Sequence, residues 1–442
     1  MAAWLVALVL LAPSLETDLE RILASSRSAN GAGIAIGRVG EEPLASRNLD
    51  AARIPASNQK VLTAAAALGK LGPEFRFKTT VARGAGGALT VIGSGDPNLS
   101  GRWFGGDPKL VLRNLARDLL AQGVRRVEGE VVLDASRFDD TWVHPEWPAD
   151  QLGRWYSAPV AALVYNDSCW DVTVLPGPAA GTPARIVVEP SFLAPGLLQR
   201  CSTVTGRGEH LIHIGWGRGV ELEVRGGILE GSAGITESIP VKDPVAFFGD
   251  AFLAALRAEG IEVAGETRRG TLPGAEPLVV YTSGLDRTLQ VMLTRSQNLF
   301  AECVFKALGN GSFEAAGVAL REELARRKIP VAGLVAADGS GLARNNRVSA
   351  RTLYGVLQAM ADTPLFVEAL ATGGEGTLER RYRELGRRVR LKTGTLRGVS
   401  TLSGYVTGRD GGRYAFVVLA NGDLSDVRAL QDKIVARLAQ EP

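Results

Sequence analysis

Three short strings hold residues whose types and spacing suit nucleophilic acyl transfer: Ser57-Asn58-Gln59-Lys60, Ser296-Gln297-Asn298 and Lys392-Thr393-Gly394-Thr395. A serine hydroxyl is a poor nucleophile without a base, and a lysine amine can act as one when burial and positive neighbours lower its pKa. Ser57 and Lys60 stand three apart, so at the head of a helix both side chains share one face and the N-terminus favours negative charge beside them. Alone, that tetrapeptide reads as an N-cap serine and a solvent-facing lysine. The second string reads as an ordinary helix start, and the third as an exposed strand end. Assembled, they describe a site. Lys60 is the base for Ser57, Ser296 relays a proton between Lys60 and a leaving amine, and Asn298 donates to a substrate amide or positions Lys60. Lys392 raises the local potential, while Thr393 and Thr395 offer hydroxyls to a carboxylate. Gly394 is expected to leave room for an extended substrate, and the Ser57 and Thr395 N–H groups to form an oxyanion hole.

Competing chemistries have little to work with. The three histidines, His144, His210 and His213, all fall between the first and second strings, and no Gly-x-Ser-x-Gly elbow surrounds Ser57. No His-Glu-x-x-His signature occurs, and the three cysteines are too scattered for a zinc site, so neither a metal nor an organic cofactor is expected. Cys169 and Cys201 could pair in an oxidising compartment, whereas Cys303 reads as a buried thiol on an apolar helix.

The elements that must position these residues divide by texture. Glu16–Leu23 reads as an amphipathic helix, Ala32–Val39 and Leu44–Asn48 as a hairpin, and Val61, Leu62, Ala65, Leu68 and Leu71 as the apolar face of the Ser57 helix. Near the other end, Arg388–Thr395, Ser400–Thr407 and Arg413–Ala420 read as strands, and Asp423–Gln440 as a helix. This predicts an antiparallel sheet closed by both ends of the chain and flanked by helices. Between Phe75 and Val279 short glycine-separated strands dominate: Phe77–Val81, Ala88–Ile92, Gly129–Leu133, Asp171–Leu175, Arg185–Val188 and Val220–Val224. Two helices, Lys109–Gln122 and Pro244–Glu259, each precede a similar strand pattern, as a duplicated helix-strand unit would. A long insertion costs little loop entropy if its ends emerge together.

Composition is that of a folded chain, with 45% hydrophobic and 22% charged residues. A net charge of +3 over 442 residues, without a long basic block, does not point to nucleic acid. The short runs Arg380-Arg381-Tyr382-Arg383 and Arg387-Arg388 read as solvated faces. Met1–Ala12 is almost wholly apolar and is followed by Pro13 and Ser14, which resembles a secretory signal, although positive residues do not precede it. Export to the periplasm or another extracytoplasmic space is therefore expected.

In order and context, the three strings resemble the active-site elements of the low-molecular-mass class C penicillin-binding proteins, the D-alanyl-D-alanine carboxypeptidases of peptidase family S13. Further likeness lies in Gly93-Ser94-Gly95-Asp96-Pro97-Asn98-Leu99, Val131–Phe138, Tyr156-Ser157-Ala158-Pro159, Asn166-Asp167-Ser168-Cys169, Asp338-Gly339-Ser340-Gly341-Leu342 and Gly376-Thr377-Leu378. The resemblance implies an α/β penicillin-recognising catalytic domain with an antiparallel sheet flanked by helices, here 14–75 with 280–442, behind a signal at 1–13. It implies an inserted domain at 76–173 with 237–279, and a third nested at 174–236. It also implies attack by Ser57 on the penultimate D-alanyl carbonyl of peptidoglycan stem peptides, an acyl-enzyme, cleavage of cross-links as a DD-endopeptidase, and acylation by β-lactam antibiotics. Asp167 would help recognise a cationic peptide end. Gln297 replaces the usual Asp or Asn, at a position expected to point away from the chemistry, and Ser168 replaces a usual Asn. A serine β-lactamase-like hydrolase and a silent peptidoglycan-binding protein are the alternatives. Oligomeric state and peripheral membrane contact are left open.

Overall fold

Five strands drawn from both ends of the chain form one antiparallel sheet, in the order Val389–Leu396, Val399–Thr407, Arg413–Asn421, Gly33–Arg38 and Ala45–Arg47. The computed structural model describes residues 14–441 except 104, 105, 192, 194, 195, 207–209, 218 and 220, so the apolar leader at 1–13 lies outside the described residues. Alternation along the strands sorts the sheet into two faces. Ala415, Val417 and Leu419 face one hydrophobic core, while Phe416, Val418 and Ala420 face another with the helices Leu15–Ala24 and Val427–Ala439.

The helix Gln59–Lys70 occupies the first core. It is buried from Gln59 through Leu68, not along one stripe, because four consecutive alanines, Ala64 to Ala67, let other helices approach on every side. Those neighbours are Asn298–Leu308, Phe313–Arg326 and Ala350–Met360. The packing keeps Lys60 and the start of the Asn298 helix side by side.

The insertion leaves and returns through one strand pair. Arg76–Arg83 and Glu276–Gly284 run antiparallel with Arg76 opposite Gly284, so more than two hundred residues depart from neighbouring points. They belong to a second five-stranded sheet with Leu89–Ile92, Val131–Asp134 and Thr267–Arg269. The helix-strand duplication is visible in three dimensions. After Leu110–Ala121 and Pro244–Ala258, Arg126–Val127 pairs in parallel with Glu262–Val263, and Val131–Leu133 with Thr267–Arg269, at one constant offset.

Further out lie two three-stranded sheets, one centred on Cys169–Leu175 and one on Leu222–Leu229. The expected limit at 173/174 falls between the rungs Thr173–Thr236 and Val174–Ile235, and that at 236/237 between Thr173–Thr236 and Val172–Glu237, neighbouring steps of one strand pair. Strands Leu197–Val204, Leu211–Trp216, Ile235–Pro240 and Glu276–Gly284 escaped the sequence reading because each buries too little of either face to leave a period of two. Cys169 and Cys201 do not form the suggested disulfide: both are buried free thiols, on strands of different sheets. Cys303 is a buried thiol on its helix, as expected.

Candidate active site

Ser57 does not sit inside the helix. It occupies a separate 3-10 turn, Ala56–Asn58, and the α-helix begins at Gln59. Ala56, immediately before it, holds φ at 46°, a left-handed conformation that a side chain disfavours and that tertiary contacts must impose. Those contacts are identifiable. Asn58 donates to Thr401 Oγ1 at 2.6 Å and accepts from the Ser403 hydroxyl, while Thr401 Oγ1 donates to the Pro55 carbonyl at 2.9 Å. The Ser57 turn is thus fastened to the strand Val399–Thr407. On its other side Gly341, at φ +87°, approaches so closely that a Cβ there would lie 1.8 Å from the Ala56 carbonyl oxygen.

Lys60 is fully buried, and its Nζ meets three oxygens: Asn298 Oδ1 at 2.7 Å, the Ser340 carbonyl at 2.9 Å and Ser57 Oγ at 3.2 Å. Two of these are obligate acceptors. A neutral amine gives its two N–H bonds to Asn298 and Ser340, which turns its lone pair to the Ser57 hydroxyl. Burial is the main reason its pKa falls to about 7, and the Glu302 and Asp338 carboxylates oppose that fall. Glu302 does not reach Ser57. It accepts from the Gly339 and Ser340 N–H groups at 2.7 and 2.8 Å and so presents the Ser340 carbonyl to Lys60. Burial raises the Glu302 carboxyl to about 8. Asp338 holds the same loop by accepting from the Gly341 and Ala343 N–H groups at 2.8 and 2.7 Å.

The second string adds Ser296, whose φ is 61°, directly before the Asn298 helix. Its hydroxyl accepts from Lys392 Nζ at 2.9 Å, so its observed partner is Lys392, whereas the expected relay joined Lys60 to the leaving amine. Asn298 binds Lys60 through Oδ1 and donates through Nδ2 to the Tyr156 carbonyl at 2.7 Å, which ties the insertion to the site. Lys392 is fully buried and also donates to the Thr393 carbonyl at 2.8 Å; burial, then the nearby Lys60, hold its pKa well below the ordinary lysine value.

The Lys392 strand is the edge of its sheet. Leu391 exchanges both backbone hydrogen bonds with Ala371, away from Val399–Thr407. Alternation then points the N–H and C=O groups of Thr393 and Thr395 outward from the sheet as well, where an extended peptide or an oxyanion can meet them. Gly394 corrects its expectation. A Cβ there would lie 2.3 Å from Thr401 Oγ1, 2.9 Å from the Ser57 nitrogen and 3.1 Å from the Pro55 carbonyl. Its missing side chain makes room for the Ser57 turn, which packs on the sheet face to which a Cβ at Gly394 and the side chain of its cross-strand partner Thr401 point.

Asp167 lies in a run of three left-handed residues, Asn166 to Ser168. It is buried and turned inward: Oδ2 accepts from Trp103 Nε1 and Gln297 Nε2, both at 2.9 Å, and pairs with Arg102 at 3.5 Å. Burial raises its pKa, while Arg102 opposes. Gln297, expected to point away from the chemistry, is turned towards Asp167. Both unusual residues, Gln297 and Ser168, border this one network. Beside it runs a cleft of ≈1180 Å³ lined by Trp103, Tyr156, Trp216 and Gln297.

Asn58, Thr401 and Ser403 were missed in the sequence because each is an ordinary polar residue until the fold buries it. Asp338 and Ser340 belonged to a string noted only for its likeness. Among the described residues no hydrogen bond joins a histidine to Ser57. His144 packs edge-on against Phe313, His210 lies against Ser232 and Leu229, and His213, on the strand Leu211–Trp216, lines the wall of the large cleft. No group of three metal-ligating side chains occurs among the described residues.

Comparison with known proteins points to one family. The profile of the D-Ala-D-Ala carboxypeptidase 3 (S13) family matches residues 15–441. The D-alanyl-D-alanine carboxypeptidase of Actinomadura sp. (strain R39) is 33% identical over a 466-residue alignment covering 96% of this chain and 84% of that protein. The D-alanyl-D-alanine carboxypeptidase DacB of Haemophilus influenzae is 27% identical, over 84% and 80% of the two chains. The crystal structure of penicillin binding protein 4 (dacB) from H. influenzae superposes with a TM-score of 0.80 at 25% identity, covering 96% of this chain and 99% of that one. That protein is also known in complex with a β-lactam, a structure that superposes with a TM-score of 0.73. With a family profile spanning almost the whole chain and a relative one-third identical to it, the chain belongs to the D-Ala-D-Ala carboxypeptidase 3 (S13) family.

Proposed function

We propose that this protein is a serine D-alanyl-D-alanine carboxypeptidase whose nucleophile is Ser57 and whose base is Lys60. The observation that carries this is the buried Lys60 amine, held by two fixed carbonyl acceptors with Ser57 Oγ as its third neighbour at 3.2 Å. In the acylation step the Ser57 proton passes to Lys60 Nζ while Oγ bonds to the penultimate D-alanyl carbonyl carbon. The carbonyl oxygen becomes an oxyanion met by the Ser57 and Thr395 N–H groups. Collapse breaks the peptide C–N bond, and the proton that Lys60 took passes by way of Ser296 to the leaving nitrogen, so Lys60 is again a free amine for the deacylating water and Lys392 keeps its proton. Lys392, Thr393 and Thr395 receive the terminal carboxylate, whose charge favours the ammonium form of Lys392. Water then hydrolyses the acyl-enzyme. Asp167 enters through Gln297, which it holds at the mouth of the large cleft.

A DD-endopeptidase activity on cross-links follows the same acylation chemistry, and the ≈1180 Å³ cleft beside Gln297 and Tyr156 offers room for the second peptide. The substrate lies outside the cytoplasm, which agrees with the apolar leader Met1–Ala12. The catalytic unit is taken as 14–75 with 280–442, the insertion as 76–173 with 237–279, and the nested part as 174–236. β-Lactams should acylate Ser57 as substrate mimics. Release of D-alanine from a peptide ending in D-Ala-D-Ala tests the assignment, and its absence with folded protein would contradict it.

The position of Lys60 fixes a pH dependence. Its free amine is the active form and its pKa is lowered to about 7, so protonation on acidification removes the base. The acylation rate by a chromogenic penicillin should be flat above that value and fall roughly tenfold per pH unit below it. A profile that falls only near pH 10, where an ordinary lysine titrates, would contradict the burial of a neutral amine.

A further inference from the structure

The other notable cavity lies on the opposite face of the catalytic sheet. The segment that carries Leu378, Tyr382 and Leu385 folds against the helix Val427–Ala439, over the core away from Lys60. Between them is a cleft of ≈620 Å³. Among the described residues its wall includes Arg380, Arg381, Arg388, Arg409 and Arg428 against two carboxylates, Glu384 and Asp432. The whole chain has a net charge of only +3, so this cleft concentrates positive charge that the remaining surface cancels. The arginine runs noted in the sequence converge here.

The guanidinium groups are not all used by the protein. Arg381 pairs with Asp432 at 2.5 Å and stacks over the Tyr382 ring at 4.7 Å, and Arg388 donates to the Thr407 and Ala439 carbonyls. Arg380, Arg409 and Arg428 make no side-chain hydrogen bond or ion pair among the described residues. Arg381 Nε–H is buried without an acceptor. Tyr382, which anchors this wall by donating to Asp432 at 2.6 Å, holds φ at 55°, a left-handed conformation imposed on a bulky residue. Arginine presents flat, paired N–H donors suited to two oxygens of one tetrahedral anion.

We propose that this cleft binds phosphate-type oxyanions carried on a soluble polymer. The sheet separates it from Ser57, so its ligand is distinct from the reacting peptide, and it would hold the enzyme to a phosphorylated chain without occupying the active site. A polymer is favoured over a bilayer by shape and chemistry. The cationic groups line a concavity, and none of the exposed large hydrophobic side chains belongs to its wall, so nothing beside it would enter acyl chains.

Linear polyphosphate and inorganic phosphate are suitable soluble probes, and vesicles containing phosphatidylglycerol represent a membrane source. Calorimetric titration should give saturable polyphosphate binding to the full chain, with competition by inorganic phosphate. The pair Arg409→Ala and Arg428→Ala should weaken it roughly tenfold or more. The pair Arg137→Ala and Arg257→Ala removes equal charge from exposed positions elsewhere and should leave it nearly unchanged. Acylation by penicillin should be the same in all three proteins, which reports an intact fold. Absence of saturable binding, or equal weakening by both pairs, would overturn the site. Vesicle binding that depends on Arg409 and Arg428 without polyphosphate binding would overturn the polymer in favour of a lipid headgroup.

Discussion

Lys60→Met should slow acylation by penicillin by about three to four orders of magnitude while leaving a folded protein. Methionine fills much of the lysine volume but supplies no base, so Ser57 keeps its place and loses its proton acceptor. The change also leaves Asn298 Oδ1 and the Ser340 carbonyl without their present donor, which costs about 1–3 kcal/mol for each buried acceptor left unpaired. The methionine chain packs in the space the lysine stem filled, which limits the loss to these unpaired acceptors. The melting temperature should therefore fall by several degrees while the protein still folds, a much smaller effect than the loss of rate. Stopped-flow acylation with a chromogenic β-lactam, together with a thermal melt, separates the two. Near-normal acylation would remove Lys60 from the chemistry, whereas collapse of the melt would mark it as chiefly structural.

Gly394→Ala should cost about a hundredfold in acylation, because displacement of reacting groups by an ångström has effects of that size. The added carbon meets the Ser57 nitrogen at 2.9 Å and the Pro55 carbonyl at 3.1 Å, and neither backbone atom can rotate away. The Lys392 strand and the Ser57 turn must separate, which pulls the Thr395 N–H away from the Ser57 N–H. Since the clash lies within the protein, small and bulky β-lactams should lose rate to a similar degree. A loss that grows with ligand size would instead mean that the glycine makes room for substrate.

Much of this site was legible in the sequence because its chemistry is concentrated in strings with local structural consequences. Ser57 and Lys60 are three apart, Ser296 and Asn298 begin a helix, and Lys392 to Thr395 extend a strand, so each string already fixes the relative placement of its own members. The paired strands at the ends of the chain were legible for the same reason: Arg413–Asn421 is central to its sheet and apolar through most of its length. What the sequence withheld is what one string does to another. That the Asn58 side chain meets Thr401 and Ser403, or that Glu302 shapes a loop whose Ser340 carbonyl reaches Lys60, depends on contacts between distant segments. The role of Gly394 was misjudged on the same account, since the space beside a glycine belongs to whichever neighbour the fold brings there. The strands of the outer sheets were hidden for another reason. They bury small areas, and hydrophobic alternation weakens where there is little core to specify it.

Intact-mass spectrometry after incubation with penicillin, run on the native protein and on Ser57→Ala, bears most directly on the nucleophile. One stoichiometric adduct on the native protein and none on the variant is the predicted result, with peptide mapping placing the added mass on the segment that contains Ser57. An adduct that persists in Ser57→Ala, or none on folded native protein, would contradict the assignment of Ser57 as the residue that Lys60 activates.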